Sequence, residues 1–240
     1  MIKLYEKNEL TFSLIWIIGY VVLVSVADSI SLELGTAKII TVPVCLLMTF
    51  FLAVWIAKNG LREKYGLGKI KIDYRKYLYF LQLAVIASTN LWRGVGLRLS
   101  VLETILYVIS MICVGFIEEV IFRGFLFQAL CKENVKRAIA ISSVTFGIGH
   151  IVNLLNGAEL IPTLLQICYA AAIGFLFTVI FYQSKSLIPC IIAHSMVNSL
   201  SAVAGEGTEV LNIITAIILT LVSTSYAIWL LSDRAKSEKK

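Results

Sequence analysis

The chain has 240 residues, 59% hydrophobic and 15% charged, with a mean hydropathy of +0.88 and a net charge of +6. Soluble domains run nearer 45–50% apolar and about 25% charged, so one soluble core is excluded and an integral membrane protein is implied. In such a protein the positive excess marks basic loops on the cytoplasmic side, and nucleic acid is not expected as a partner.

A spanning helix needs about 20 largely apolar residues. In chain order the predicted spans are 11–27, 38–57, 77–92, 101–127, 138–155, 161–182, 187–204 and 210–231. The first lacks an A-x-A cleavage site and reads as a retained span rather than a signal peptide. Between the second and third, Leu61 to Lys76 mixes basic residues with Leu, Ile and Tyr, a composition suited to lying along the membrane surface. The third span, with Gln82 and Asn90 inside it, is the weakest. The fifth is rich in Ser and Gly, which allow close helix approach and mark it as an inner helix. Pro43, Pro162 and Pro189 each fall near the start of a span, where a missing N–H costs least.

With the N-terminus inside, 17 of the 21 Lys and Arg residues fall in inside segments. Lys38, Arg93 and Arg98 lie outside, and Arg123 lies in the membrane. The positive-inside rule therefore gives an all-α polytopic protein, a bundle of about eight transmembrane helices with cytoplasmic N- and C-termini. It forms one integral domain over 1–240, its chemistry-bearing part at about 101–204, in the cell membrane. Cys45, Cys113, Cys131, Cys168 and Cys190 include no C-x-x-C pair and read as small apolar residues.

The fourth span carries Glu118, Glu119 and Arg123. Each charge at a bilayer centre costs roughly 2.5–3.5 kcal/mol on insertion scales, so three in one turn and a half point to a functional site. The chain's two histidines, His150 and His194, also lie in predicted spans, paired at i, i+4 with Phe146 and Asn198. Counted from the cytoplasmic ends at 1.5 Å per residue, Glu118 and Glu119 lie about 14 and 12 Å deep, His150 about 18 Å, His194 about 12 Å and Asn198 about 18 Å. Three helices thus bring polar groups to one level. Glu118 and Glu119 point about 100° apart and face different neighbours.

A carboxylate and two imidazoles can activate a water or bind zinc, with Glu118, His150 and His194 as the ligands. An Asn amide suits an oxyanion. The combination spells hydrolysis of an acyl compound, and in a membrane a peptide bond is the obvious candidate. Glu119 and Arg123 also read as an intrahelical ion pair that lets the segment insert, and Phe146 as packing. The H-E-x-x-H and G-x-S-x-G signatures are missing. A thiol route through Cys190, His194 and Asn198 leaves both glutamates unexplained.

Glu118-Glu119-x-x-x-Arg123, Phe146-x-x-x-His150 and His194-x-x-x-Asn198, in this order on three spans, resemble the CAAX prenyl protease and bacteriocin-processing family of intramembrane proteases, also called Abi. The resemblance covers about 80 residues, Glu118 to Asn198. It implies an eight-helix bundle with a proteolytic site open to the cytoplasmic leaflet. It casts Glu118 as the general base acting with His150, and His194 with Asn198 as the oxyanion pair. Glu119 and Arg123 take structural or substrate-positioning work. A metal-free glutamate mechanism is the family's favoured view, with Zn2+ the alternative. The expected substrate is a membrane-associated peptide or lipidated protein, and bacterial roles include peptide maturation, immunity and signalling. Two other classes compete: a non-catalytic membrane scaffold or bacteriocin immunity protein, and a small transporter in which Glu118 and His150 relay protons.

Overall fold

The computed structural model describes residues 1–68 and 78–237. The chain forms helices α1 (Ile2–Lys7), α2 (Glu9–Glu33), α3 (Thr41–Lys58), α4 (Leu78–Ser88), α5 (Val101–Glu119), α6 (Gln128–Cys131), α7 (Val135–Gly149), α8 (Val152–Leu155), α9 (Leu160–Ser184), α10 (Ile188–Leu200) and α11 (Glu209–Ser237). A π-helical segment, Val120–Phe127, joins α5 to α6, so 101–131 is one continuous helix. Among the described residues the extended pairing is one isolated bridge, Val95 with Ala204.

Local signals set the boundaries. Asn8 and Asn134 cap α2 and α7 by accepting from the backbone N–H groups of Thr11 and Arg137. Ser100 and Glu103 form a reciprocal capping box at the start of α5. Pro43, Pro162 and Pro189 lie in the first turns of α3, α9 and α10, as their positions in the sequence require.

Six helices are long and apolar enough to cross a membrane: Glu9–Glu33, Thr41–Lys58, Val101–Cys131, Val135–Leu155, Leu160–Ser184 and Glu209–Ser232. This makes a multi-pass membrane protein. Helix α10 is shorter. Its 13 residues, extended by a 3-10 turn of 3, rise only about 24–26 Å, against a hydrocarbon core of about 30 Å. It can be short because it packs inside the bundle against α4 and α5.

Two expectations are corrected. The Ser/Gly-rich fifth segment is not an inner helix on all sides. Only a third of its apolar window is buried, against 56% for α9. Ser142, Ser143 and Gly147 share one buried face of α7, while Ile141, Val144 and Ile148 point outward. Nor does 61–68 lie flat along a surface. Tyr65 is buried and packs edge-on against Phe125 at 5.1 Å. Gly66 adopts φ +63° and accepts at its carbonyl from the Leu187 N–H. A Cβ there would meet Phe181 at 2.7 Å and Leu187 N at 2.8 Å, so the turn needs glycine. The rest of the expected surface segment, 69–76, lies outside the described residues.

The helix ends sort onto two faces. On one, Lys64 bonds Glu9 at 2.7 Å and Tyr5 at 2.5 Å, and Lys132 reaches Glu9 at 2.9 Å. Burial pulls the Lys64 ammonium down, but those two bonds outweigh it and hold its pKa above the ordinary value. Gln183 donates to Leu230 O on the same face, so α1 and the last described turns of α11 are on this side. On the other face Lys38 pairs with Asp28 at 2.8 Å, Arg98 donates to Ser201 O, and Gly205 N–H donates to Gly94 O.

Candidate functional site

The two adjacent glutamates enter different surroundings, as their angular separation requires. Glu119 is fully buried. Its Oε1 accepts from Arg123, also fully buried, at 2.9 Å, and lies 2.9 Å from His194 Nδ1. Donation from Nδ1–H to this carboxylate fixes the ring. The Arg123 guanidinium lies over the Phe146 ring, 4.1 Å from its centroid. Glu118 faces the other way, with 12% of its side chain exposed. Its Oε1 accepts from Tyr20 O–H at 2.6 Å, and its Oε2 stands 3.4 Å from His194 Nε2. His194 therefore bridges the two carboxylates.

Small residues make this approach possible. A Cβ at Gly115 would lie 2.3 Å from Ser195 Oγ and 2.8 Å from Ser195 N, so α5 and α10 touch backbone to backbone one residue from His194. Gly147 does the same between α7 and α9, where a Cβ would meet Ala171 Cβ at 2.7 Å. A Cβ at Gly174 would stand 3.1 Å from both Arg123 and Phe146, so glycine clears room for the cation and its aromatic cover. The π-helical segment begins directly after Glu119, and all eight of its residues are buried. Such widened turns recur at functional sites.

Glu118, Phe146, His150, His194 and Asn198 all line one cavity of about 480 Å³. The three sequence motifs thus converge. His150 follows the last residue of α7 and stands edge-on to Phe146 at 5.5 Å. Among the described residues its ring makes no hydrogen bond. Phe146 also touches His194, at 5.6 Å. Glu119 and Arg123 stay outside the cavity wall. Cys190 is buried beneath it, with its thiol directed to Phe177 O at 3.6 Å.

Sequence reasoning did not single out Tyr20, Arg93, Asn153 or Gln166, which share this wall. Tyr20 is a lone tyrosine in an apolar run, a pattern with no signal of its own. Asn153 and Gln166 bond each other at 2.9 Å, and their signal was visible as amides inside predicted spans. Asn90, noted as an oddity of the third span, donates to Val197 O at 2.6 Å and so braces α10 beside Asn198.

The cavity has an apolar end and a polar end. Below Glu118, toward the face that carries Lys64 and Lys132, Phe122, Phe125, Leu126, Phe127, Phe181 and Leu187 are all buried. Rings meet edge-on through this layer, with Phe127 6.0 Å from Phe181 and Phe12 5.1 Å from Phe125. In the opposite direction the lining turns polar, with Tyr107, Ser201, Arg93, Asn156 and the Asp28–Lys38 pair.

Glu118, His150 and His194, the residues that would hold a zinc, all line this cavity. Among the described residues no three His, Cys, Asp or Glu side chains are grouped as metal ligands. Glu118 Oε2 and His194 Nε2 are neighbours at 3.4 Å, and the Nδ1–H bond to Glu119 orients that ring. No step below is routed through a metal.

Residues 100–200 match the family model described as type II CAAX prenyl endopeptidase Rce1-like. No curated protein and no solved structure matches the chain. The matched segment holds all three motifs, α5 through α10, and the whole wall that carries Glu118, His150, His194 and Asn198. Through this region the chain is similar to the type II CAAX prenyl endopeptidases, a family of membrane proteases.

Proposed function

We propose that the protein is an intramembrane endopeptidase that hydrolyses a peptide bond of a membrane-associated substrate with a water activated by Glu118. One observation carries this reading: of the two adjacent carboxylates, Glu118 alone lines the 480 Å³ cavity shared with His150, His194 and Asn198. Glu118 takes the proton of a water held between it and His150, and the water oxygen attacks the scissile carbonyl. His194, whose Nε2 faces Glu118, and the Asn198 amide stabilise the resulting oxyanion. Glu118 then returns the proton to the leaving amine. Glu119 and Arg123 do not touch substrate. They hold the His194 ring, and Tyr20 holds the Glu118 carboxylate. The mechanism is metal-free.

No feature of the geometry favours the scaffold, immunity or transporter alternatives over this one. The test uses the purified full chain with membrane-anchored peptides, with and without a prenyl group. Cleavage by the natural chain and its loss in Glu118→Ala, with the melting curve unchanged, is the expected result. Cleavage that survives Glu118→Ala overturns the proposal.

A further inference from the structure

A second site lies on the outer surface of the helix bundle, apart from the cavity around Glu118. Helices α7 and α11 both pack on α9, and among the described residues they hardly touch one another. The gap between them is a groove of about 740 Å³, with Cys168, Ala171 and Ala172 of α9 on its floor. Small side chains there leave the groove deep. Its inside is apolar. The Ser143 hydroxyl donates back to Ile139 O at 2.6 Å and the Thr220 hydroxyl to Ala216 O at 2.8 Å, so both donors are spent within their own helices. Lys136 is the one charged side chain among the described residues of the wall, and it is exposed. It stands in the first turn of α7, where Tyr182 and Leu231 reach the groove from the last turns of α9 and α11. Lys185 lies over the Tyr182 ring, 4.5 Å from its centroid, and adds a second cation at that end.

The groove is apolar along its length and cationic at one end, and its length decides what it can hold. It runs about 12 Å along α7 from Lys136 to Val144, about 17 Å along α11 from Leu231 to Thr220, and about 21 Å along α9 from Tyr182 to Cys168. Lys136, Tyr182 and Leu231 stand at the ends of their spans, so the groove starts at the membrane boundary. It ends near the middle, because one leaflet supplies half of a hydrocarbon core of about 30 Å. A partner helix crossing the membrane needs a groove of the full thickness, whereas an acyl chain needs one leaflet. We infer that the groove holds one acyl chain of an anionic phospholipid, with the lipid phosphate seated at Lys136. Lysines at the membrane boundary attract anionic lipids, and a tyrosine such as Tyr182 sits at the same headgroup level.

This site stands independently of the protease reading, and its test needs no activity. The full chain is reconstituted in phosphatidylcholine vesicles holding a minor share of phosphatidylglycerol. A trace of phosphatidylglycerol with a photoreactive group midway down one acyl chain is then activated by light, and the adducts are mapped by peptide mass spectrometry. Adducts are expected on the groove side of α7, α9 and α11, Cys168 and Ala172 among them. Lys136→Gln lowers this labelling by about fivefold, the contribution of one lysine beside an anionic headgroup. Cys168→Phe, which fills the groove from an exposed position, removes it. Labelling of Leu47 and Phe50, both exposed on α3, is unchanged by either substitution and shows that the variants are folded and inserted. Three results overturn the inference: the same photoreactive chain on phosphatidylcholine labels the groove as strongly, Lys136→Gln leaves the labelling unchanged, or the groove stays unlabelled while Leu47 and Phe50 react, as when a protein helix covers it.

Discussion

Glu118 and Glu119 are chemically identical and one residue apart, yet they occupy two different media. Glu119 lies in a closed polar knot, bonded to Arg123 and His194 and roofed by the Phe146 ring over the guanidinium. Glu118 lies in the wall of a chamber shared with His150 and Asn198, one oxygen held by Tyr20 and the other facing His194 Nε2 at 3.4 Å. A buried ion pair contributes little net stability when formed but leaves an uncompensated charge when broken. A carboxylate on a cavity wall can exchange a proton with a bound water. The contrast teaches that a helix sustains both a structural and a chemical acid in successive positions, because a 100° turn sends them to different neighbours.

The contrast is sharpest in what each substitution destroys. Glu118→Ala should reduce cleavage by roughly 10²–10⁴-fold, the scale of a lost general base, while thermal unfolding in detergent stays within a few degrees of the natural chain. Arg123→Ala should do the reverse. It strands Glu119 in a site without exposure and costs about 3–5 kcal/mol of stability, read as a loss of folded protein on size-exclusion and a lowered melting midpoint. Gly115→Val should come next. It forces α5 and α10 apart at Ser195, costs about 1–3 kcal/mol as an overpacked contact, and lowers cleavage by more than the stability change explains, because His194 moves with α10. Tyr20→Phe should have a smaller effect. Hydrogen bonds to charged groups are worth about 1.5–3 kcal/mol, and we expect about a tenfold fall in kcat with KM unchanged. Chelator treatment should have no effect on cleavage, and loss of activity restored by zinc would replace the metal-free scheme.

The motif residues were legible because charges and imidazoles in apolar runs stand out against the cost of burying them. Glu118, His150, His194 and Asn198 were placed at one depth by helix rise alone, and they do line one cavity. The angular argument that separated Glu118 from Glu119 also agrees with their contacts. Other features were illegible for physical reasons. Tyr20 looks like any aromatic residue of an apolar span, and only the packing of α2 against the π-helical segment brings its hydroxyl to Glu118. The Ser and Gly residues of α7 announced close contact but not that it would be confined to one face. The eight-span pattern could not reveal that the seventh segment is held short inside the bundle, because length is set there by neighbours and not by lipid. The packing around the apolar end of the cavity was hidden for a similar reason: the Tyr65–Gly66 turn meets Phe181 and Leu187 there from a segment more than a hundred residues away.

The most direct test of the division between the two carboxylates is a paired isosteric exchange, Glu118→Gln and Glu119→Gln, with cleavage and melting midpoint measured on both purified full chains. Glu118→Gln should abolish cleavage and leave the midpoint nearly unchanged, while Glu119→Gln should lower the midpoint and retain measurable cleavage in the fraction that stays folded. Cleavage that survives in Glu118→Gln and vanishes in a stably folded Glu119→Gln would contradict the account and give the chemical role to the buried glutamate.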